Sequence, residues 1–183
     1  MTTERSVAQI ALFTALIAAL GLIPQLTLAF GVPITAQSLG IMLCGTVLGA
    51  WRGFLAAALF VGLVALGLPL LAGGRGGLGV FASPTAGFVL GFPFAALATG
   101  AVVERLRGLS VGWSAGVAAL IGGVVVLYIF GITGLAVMLD KSMSDAALLV
   151  TAFLPGDAIK AGLAGLITAA LYRARPHAVA SRC

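Results

Sequence analysis

The sequence predicts an all-α, polytopic membrane protein of six transmembrane helices with both termini cytoplasmic. Three observations predict it. Of 183 residues, 61% are hydrophobic and only 8% charged, about a third of the charged fraction of a soluble domain. The mean hydropathy is +1.21. Six spans of about 20 apolar residues consume roughly 120 positions, which leaves short loops, so residues 1–183 read as a single membrane domain. Lastly, the basic residues segregate. With both termini inside, Arg5, Arg52, Arg105, Arg107, Arg173, Arg175 and Arg182 are cytoplasmic, Arg75 and Lys141 are external, and Lys160 lies within a span. That is a positive-inside bias, expected of a multi-pass protein of the cell membrane surrounded by lipid.

The same features exclude several functions. Single arginines scattered between apolar runs are topology signals, so the net charge of +5 does not point to nucleic acid. No GxxxxGK[ST] phosphate loop is present, so energy from ATP would have to come from another subunit. The one histidine, His177, sits in a polar tail and offers neither catalysis nor a metal site inside the membrane. Cys44 and Cys183 form no metal spacing and no disulfide framework, and no cofactor is implied. An intramembrane enzyme is therefore disfavoured. The N-terminus lacks an A-x-A cleavage pattern, which makes the first apolar run a permanent span.

Span one covers about residues 7–23 and stops near Pro24. Ala11, Ala15 and Ala19 recur every four residues and form a small-residue stripe, suited either to internal packing or to close approach of a partner helix. Residues 24–37, with two prolines and a glycine, read as an irregular connection or a short re-entrant piece, in which Thr35 and Gln37 are the best hydrogen-bonding side chains. Spans two and three, about 38–50 and 54–71, form a tight antiparallel hairpin closed by Trp51 and Arg52, an interfacial aromatic and a charge. Next comes Gly73-Gly74-Arg75-Gly76-Gly77-Leu78-Gly79, where Gly74, Gly76 and Gly77 permit close backbone approach to a ligand. Arg75 is either a clamp for a planar anion or a solvated loop charge. Span four covers about 87–103. Span five, about 113–139, is long enough to tilt, and span six runs from about 146 to 172.

Span six carries the most informative residues, Leu154-Pro155-Gly156-Asp157-Ala158-Ile159-Lys160. Asp157 and Lys160 are three apart and share a helix face. One charge at the centre of a bilayer costs on the order of 3 kcal/mol, so two persist only if they neutralise each other or meet something polar. Either they form an ion pair that merely permits insertion, or they donate to and accept from a polar solute; function is the default for ionisable groups in this position. Pro155 and Gly156 loosen the helix just before them. With both termini inside, the 24–37 loop, the glycine-rich loop and the start of span six share the outer side, so polar loops and charge pair converge on one pocket.

Three segments, Val32-Pro33-Ile34-Thr35-Ala36-Gln37, then Gly73 to Gly79 with Pro84-Thr85, then Gly156-Asp157 with Lys160, together resemble the BioY family. Its members are the biotin-specific substrate-binding (S) components of energy-coupling factor (ECF) vitamin transporters. The resemblance extends over most of the chain. It implies a six-helix membrane protein that binds biotin in a cavity on the outer side, energised by a transmembrane T component and two ABC-type ATPases. It also implies that Asp157 and Lys160 contact the ligand and that Ala11, Ala15 and Ala19 contact the T component. The ureido ring of biotin, with two N–H donors and a carbonyl, suits an aspartate acceptor and a lysine donor. The thioether ring wants an apolar wall, for which Phe81 or Phe88 is placed. The valerate carboxylate would go to Arg75 and its glycines, or to Lys160. Where family members often read Pro-Thr-Gly-Gly-Tyr, this chain has Pro84-Thr85-Ala86-Gly87-Phe88, so that tyrosine hydroxyl is missing. An S component for riboflavin or thiamine is the alternative, but Trp51 and Trp113 both fall on the inner side, away from where a flat ligand would stack.

Overall fold

In the computed structural model, which describes residues 3–182, six helices make up the chain: α1 (Thr3–Leu20), α2 (Gln37–Leu48), α3 (Ala50–Ala65), α4 (Ala86–Arg105), α5 (Val111–Met138) and α6 (Met143–Ala174). Cys183 lies outside the described residues. α1, α4, α5 and α6 are long and apolar enough to cross a membrane, while α2 and α3 are 12 and 16 residues long. The six spans expected from hydropathy correspond one to one with these helices, and the protein is a multi-pass membrane protein.

α2 is the centre of the bundle. Every residue from Gln37 to Leu48 except Leu39 is buried, which a helix hydrophobic all round tolerates only when neighbours surround it. Glycines make the close contacts possible: a Cβ on Gly45 would come within 2.5 Å of Thr99 on α4, and one on Gly53 within 2.8 Å of the Cys44 carbonyl. The α2–α3 hairpin turns on Gly49, whose φ of 85° favours glycine. α1 is peripheral, with only Thr14 and Ile17 buried; the Thr14 hydroxyl donates to the Ala56 carbonyl of α3 at 2.9 Å.

Two regions depart from expectation. The 24–37 connection is irregular for most of its length, as expected, but not throughout. It holds a small antiparallel hairpin, β1 (Leu26–Thr27) against β2 (Pro33–Ile34), turned through Gly31 at φ 83°. Span three ends at Ala65 rather than 71, because Leu66 to Leu71 already belong to the glycine-rich loop, where Leu71 and Arg75 pair across a tight turn.

Contacts gather the seven arginines at one end. Arg5 donates to the His177 carbonyl, the Ala50 N–H donates to Glu104, and Arg182 donates to the carbonyls of Arg107 and Leu109. Arg52 and Arg105 lie in the first turn of α3 and the last turn of α4. The β-hairpin, the glycine-rich loop and the α5–α6 connection occupy the opposite end.

Candidate functional site

Both long helices that build the site are broken where they reach it. α6 passes through a 3-10 turn at Thr151–Phe153, and Pro155 opens the segment that follows, so Asp157 sits in a first turn where the helix dipole favours an anion. α5 contains a π-helical turn at Ile121–Val126, which shifts its register immediately before Leu127 and Tyr128.

Asp157 is 5% exposed and takes three donors. The Lys160 ammonium donates to Oδ1 at 2.8 Å, the Ser38 hydroxyl to Oδ1 at 3.2 Å, and the Tyr128 hydroxyl to Oδ2 at 2.9 Å. Lys160 also donates to the Ser38 oxygen at 2.9 Å. Four side chains from α2, α5 and α6 thus form one network. The two oxygens of a carboxylate have about four acceptor positions, so the network leaves Asp157 with spare acceptor capacity and Lys160 with a spare N–H.

This network is not sealed. Asp157, Lys160 and Ser38 line a cavity whose apolar wall includes Phe88, Val89, Phe92, Leu127 and Phe153, and whose outer rim carries Thr35, Arg75 and Thr85. The deep space open to water-sized molecules is about 60 Å³, within about 550 Å³ of non-atom space that includes the mouth. Phe153 makes ring contacts with Phe30 of the hairpin loop and Phe88 of α4, at centroid distances of 6.0 and 5.7 Å, and so joins that loop to the cavity wall.

Arg75 is half-buried, and burial lowers its pKa from the ordinary arginine value, leaving a guanidinium that is still charged. Its donors reach the Ala72 carbonyl and the Thr85 hydroxyl, both at 3.4 Å, and no acid lies within ion-pair reach among the described residues. The cavity thus offers a neutralised charge pair deep inside and a cation without a counter-charge near its rim.

The remaining expected residues divide. Thr35 lines the cavity. So does Gln37, but its side chain is committed: Nε2 donates to the carbonyls of Ile17 and Leu70 at 3.1 and 3.0 Å, and Oε1 accepts from the Ala72 N–H at 3.0 Å. Gln37 is a brace between α1, α2 and the glycine-rich loop. Phe81 lies on a 3-10 turn, Leu78–Ala82, packs against the bundle core and does not line the cavity; Phe88 does. Gly74, Gly76 and Gly77 are not in the cavity wall either. The amides of Gly74 and Gly77 donate to Leu71 and Val64, and Gly76 lies against the Leu68 backbone, so these glycines shape the loop that carries Arg75. Ala11, Ala15 and Ala19 are all exposed on the outer face of α1, which removes internal packing as their role. Sequence reasoning misses Ser38 and Tyr128.

The BioY family profile matches residues 1–177. The chain belongs to the BioY family. Biotin transporter BioY of Rhodobacter capsulatus is 47% identical over 98% of this chain and 99% of its own length. The Rhizobium etli protein of the same name is 52% identical over 90% of this chain and 91% of its own. A crystal structure of the S component for biotin from an ECF-type ABC transporter superposes with a TM-score of 0.87 at 30% identity, covering 94% of this chain and 95% of that one. Membership of this family makes the chain a transport protein rather than an enzyme.

Proposed function

We propose that this chain captures biotin at the outer face of the cell membrane and serves as the substrate-binding S component of an ECF-type transporter, working with a T component and ABC-type ATPases. One observation carries the reading: Asp157, Lys160 and Ser38, with the Tyr128 hydroxyl bonded to the same carboxylate, present a polar cluster beside the aromatic wall of one cavity. That is the chemistry of a ureido group fused to a thioether ring, with acceptor and donor side by side and aromatic walls around them. The relatives named as biotin transporters support it. Positive-inside bias supports a cytoplasmic seven-arginine end and a cavity mouth that opens outside. Because Lys160 is already neutralised by Asp157, the rim cation Arg75 is the residue for the valerate carboxylate. The riboflavin or thiamine alternative gains nothing from the geometry, since Trp51 and Trp113 are exposed at the arginine end.

Equilibrium binding of labelled biotin to purified protein tests this. Asp157→Asn and Lys160→Ala should each abolish binding while retaining helical content; undiminished binding by both would refute the pocket. Arg75→Ala should weaken biotin by about tenfold, as expected on losing a charge-assisted hydrogen bond, yet leave biotin methyl ester unaffected.

A further inference from the structure

Away from the biotin cavity, a second and larger groove of about 820 Å³ runs between α5 and α6 on the outside of the bundle. Its floor is glycine. A Cβ on Gly165 would come within 2.7 Å of the Gly112 carbonyl and 3.2 Å of the Gly116 N–H, so the two helix backbones touch there. Beside that contact, Gly162 has nothing within 4 Å of where a side chain would stand. The groove extends from Ala158 to Arg173, fifteen residues, or about 22 Å along α6. One leaflet of hydrocarbon is about 15 Å deep, so the groove accommodates one acyl chain lying alongside the helices.

Its ends differ. The Ala158 end is apolar. The other end, in the arginine-bearing layer, carries Trp113, Tyr172 and Arg173, an aromatic pair and a cation of the kind that sits at the headgroup level. Arg173 is exposed and has no hydrogen bond or ion pair among the described residues, and the Tyr172 hydroxyl makes no hydrogen bond among them. Arg182 lies within electrostatic reach of Tyr172 and adds to the positive field. An apolar partner helix laid along this groove would leave Arg173 without a counter-charge. An anionic headgroup supplies one, and anionic lipids are concentrated in the cytoplasmic leaflet.

We infer that the α5–α6 groove holds an anionic phospholipid of the inner leaflet, with one acyl chain against Gly116 and Gly162 and its phosphate against Arg173 and Tyr172. Native mass spectrometry of the detergent-solubilised chain with added phosphatidylglycerol or phosphatidylcholine tests it. Phosphatidylglycerol should be retained in preference. Arg173→Gln should lower its retention about fivefold, the worth of one cation near an anionic surface, and leave phosphatidylcholine unchanged, with Arg173→Lys restoring it. Gly162→Leu points into free space and should displace both lipids, with helical content checked by circular dichroism. Equal retention by the parent chain, Arg173→Gln and Gly162→Leu would overturn the inference. So would a change in subunit number for Gly162→Leu, by light scattering, with lipid retention unaltered, because the groove would then seat a second copy.

Discussion

Asp157 is held by three donors from three helices, and each donor constrains the carboxylate differently. Lys160 balances the charge. Ser38 donates to Asp157 and accepts from Lys160, a second link between two groups already in direct contact. Tyr128 holds the second oxygen and so sets the plane of the carboxylate that a guest meets. Tyr128→Phe keeps the ring and removes one hydrogen bond to a charged group, worth about 1.5 kcal/mol or more, so biotin affinity measured by calorimetry should fall roughly tenfold without loss of folding. Asp157 and Lys160 are legible in the sequence because charges in an apolar run demand an explanation. Ser38 and Tyr128 are not, for physical reasons. A serine at a helix start looks like ordinary helix-end polarity, and the π-helical turn before Tyr128 changes which side of α5 turns toward Asp157, a shift that regular periodicity does not show. Phe81 misleads for a similar reason: its 3-10 turn directs it to the core, and Phe88, in the first turn of α4, takes the wall position.

At the level of elements, the bundle depends on interruptions as much as on helices. Gly49 reverses the chain between α2 and α3, and the Thr151–Phe153 turn redirects α6 toward the cavity. Pro24, Trp51 and the glycine cluster mark the early breaks approximately in the sequence. The hairpin in the 24–37 loop is not visible there, because strands of two residues carry no alternation to read. Gln37 shows how a loop is held to the bundle by a single amide. Replacing it as Gln37→Leu would leave the buried Ala72 N–H without its acceptor, at a cost of about 1–3 kcal/mol. The melting temperature in detergent should drop on the order of 5 °C, with the glycine-rich loop opening to proteolysis before the helices do. Unchanged melting would mean that the brace is dispensable.

For the whole molecule, the cavity and the alanine stripe are two faces that do not overlap. The cavity opens among the loops at one end, while Ala11, Ala15 and Ala19 lie bare along the side of α1. Small residues there admit another helix at close range. Ala15→Trp should therefore leave biotin binding intact and abolish uptake in cells that carry the energising subunits, measured by radiolabelled biotin accumulation. Loss of binding instead would place α1 in the capture step. The segregation of the arginines to one end is legible in the sequence, because it follows from where they fall between apolar runs rather than from any contact.

The deep pair has a further consequence. A lone buried ion would feel the membrane voltage, worth about 2.3 kcal/mol per elementary charge for each 100 mV. Asp157 and Lys160 lie 2.8 Å apart and sum to zero, so the electric field across the bilayer exerts a torque on them but no net pull. The pair itself is thereby indifferent to the cell's electrical state, and any voltage dependence of capture would have to enter through the charge of the guest and of Arg75.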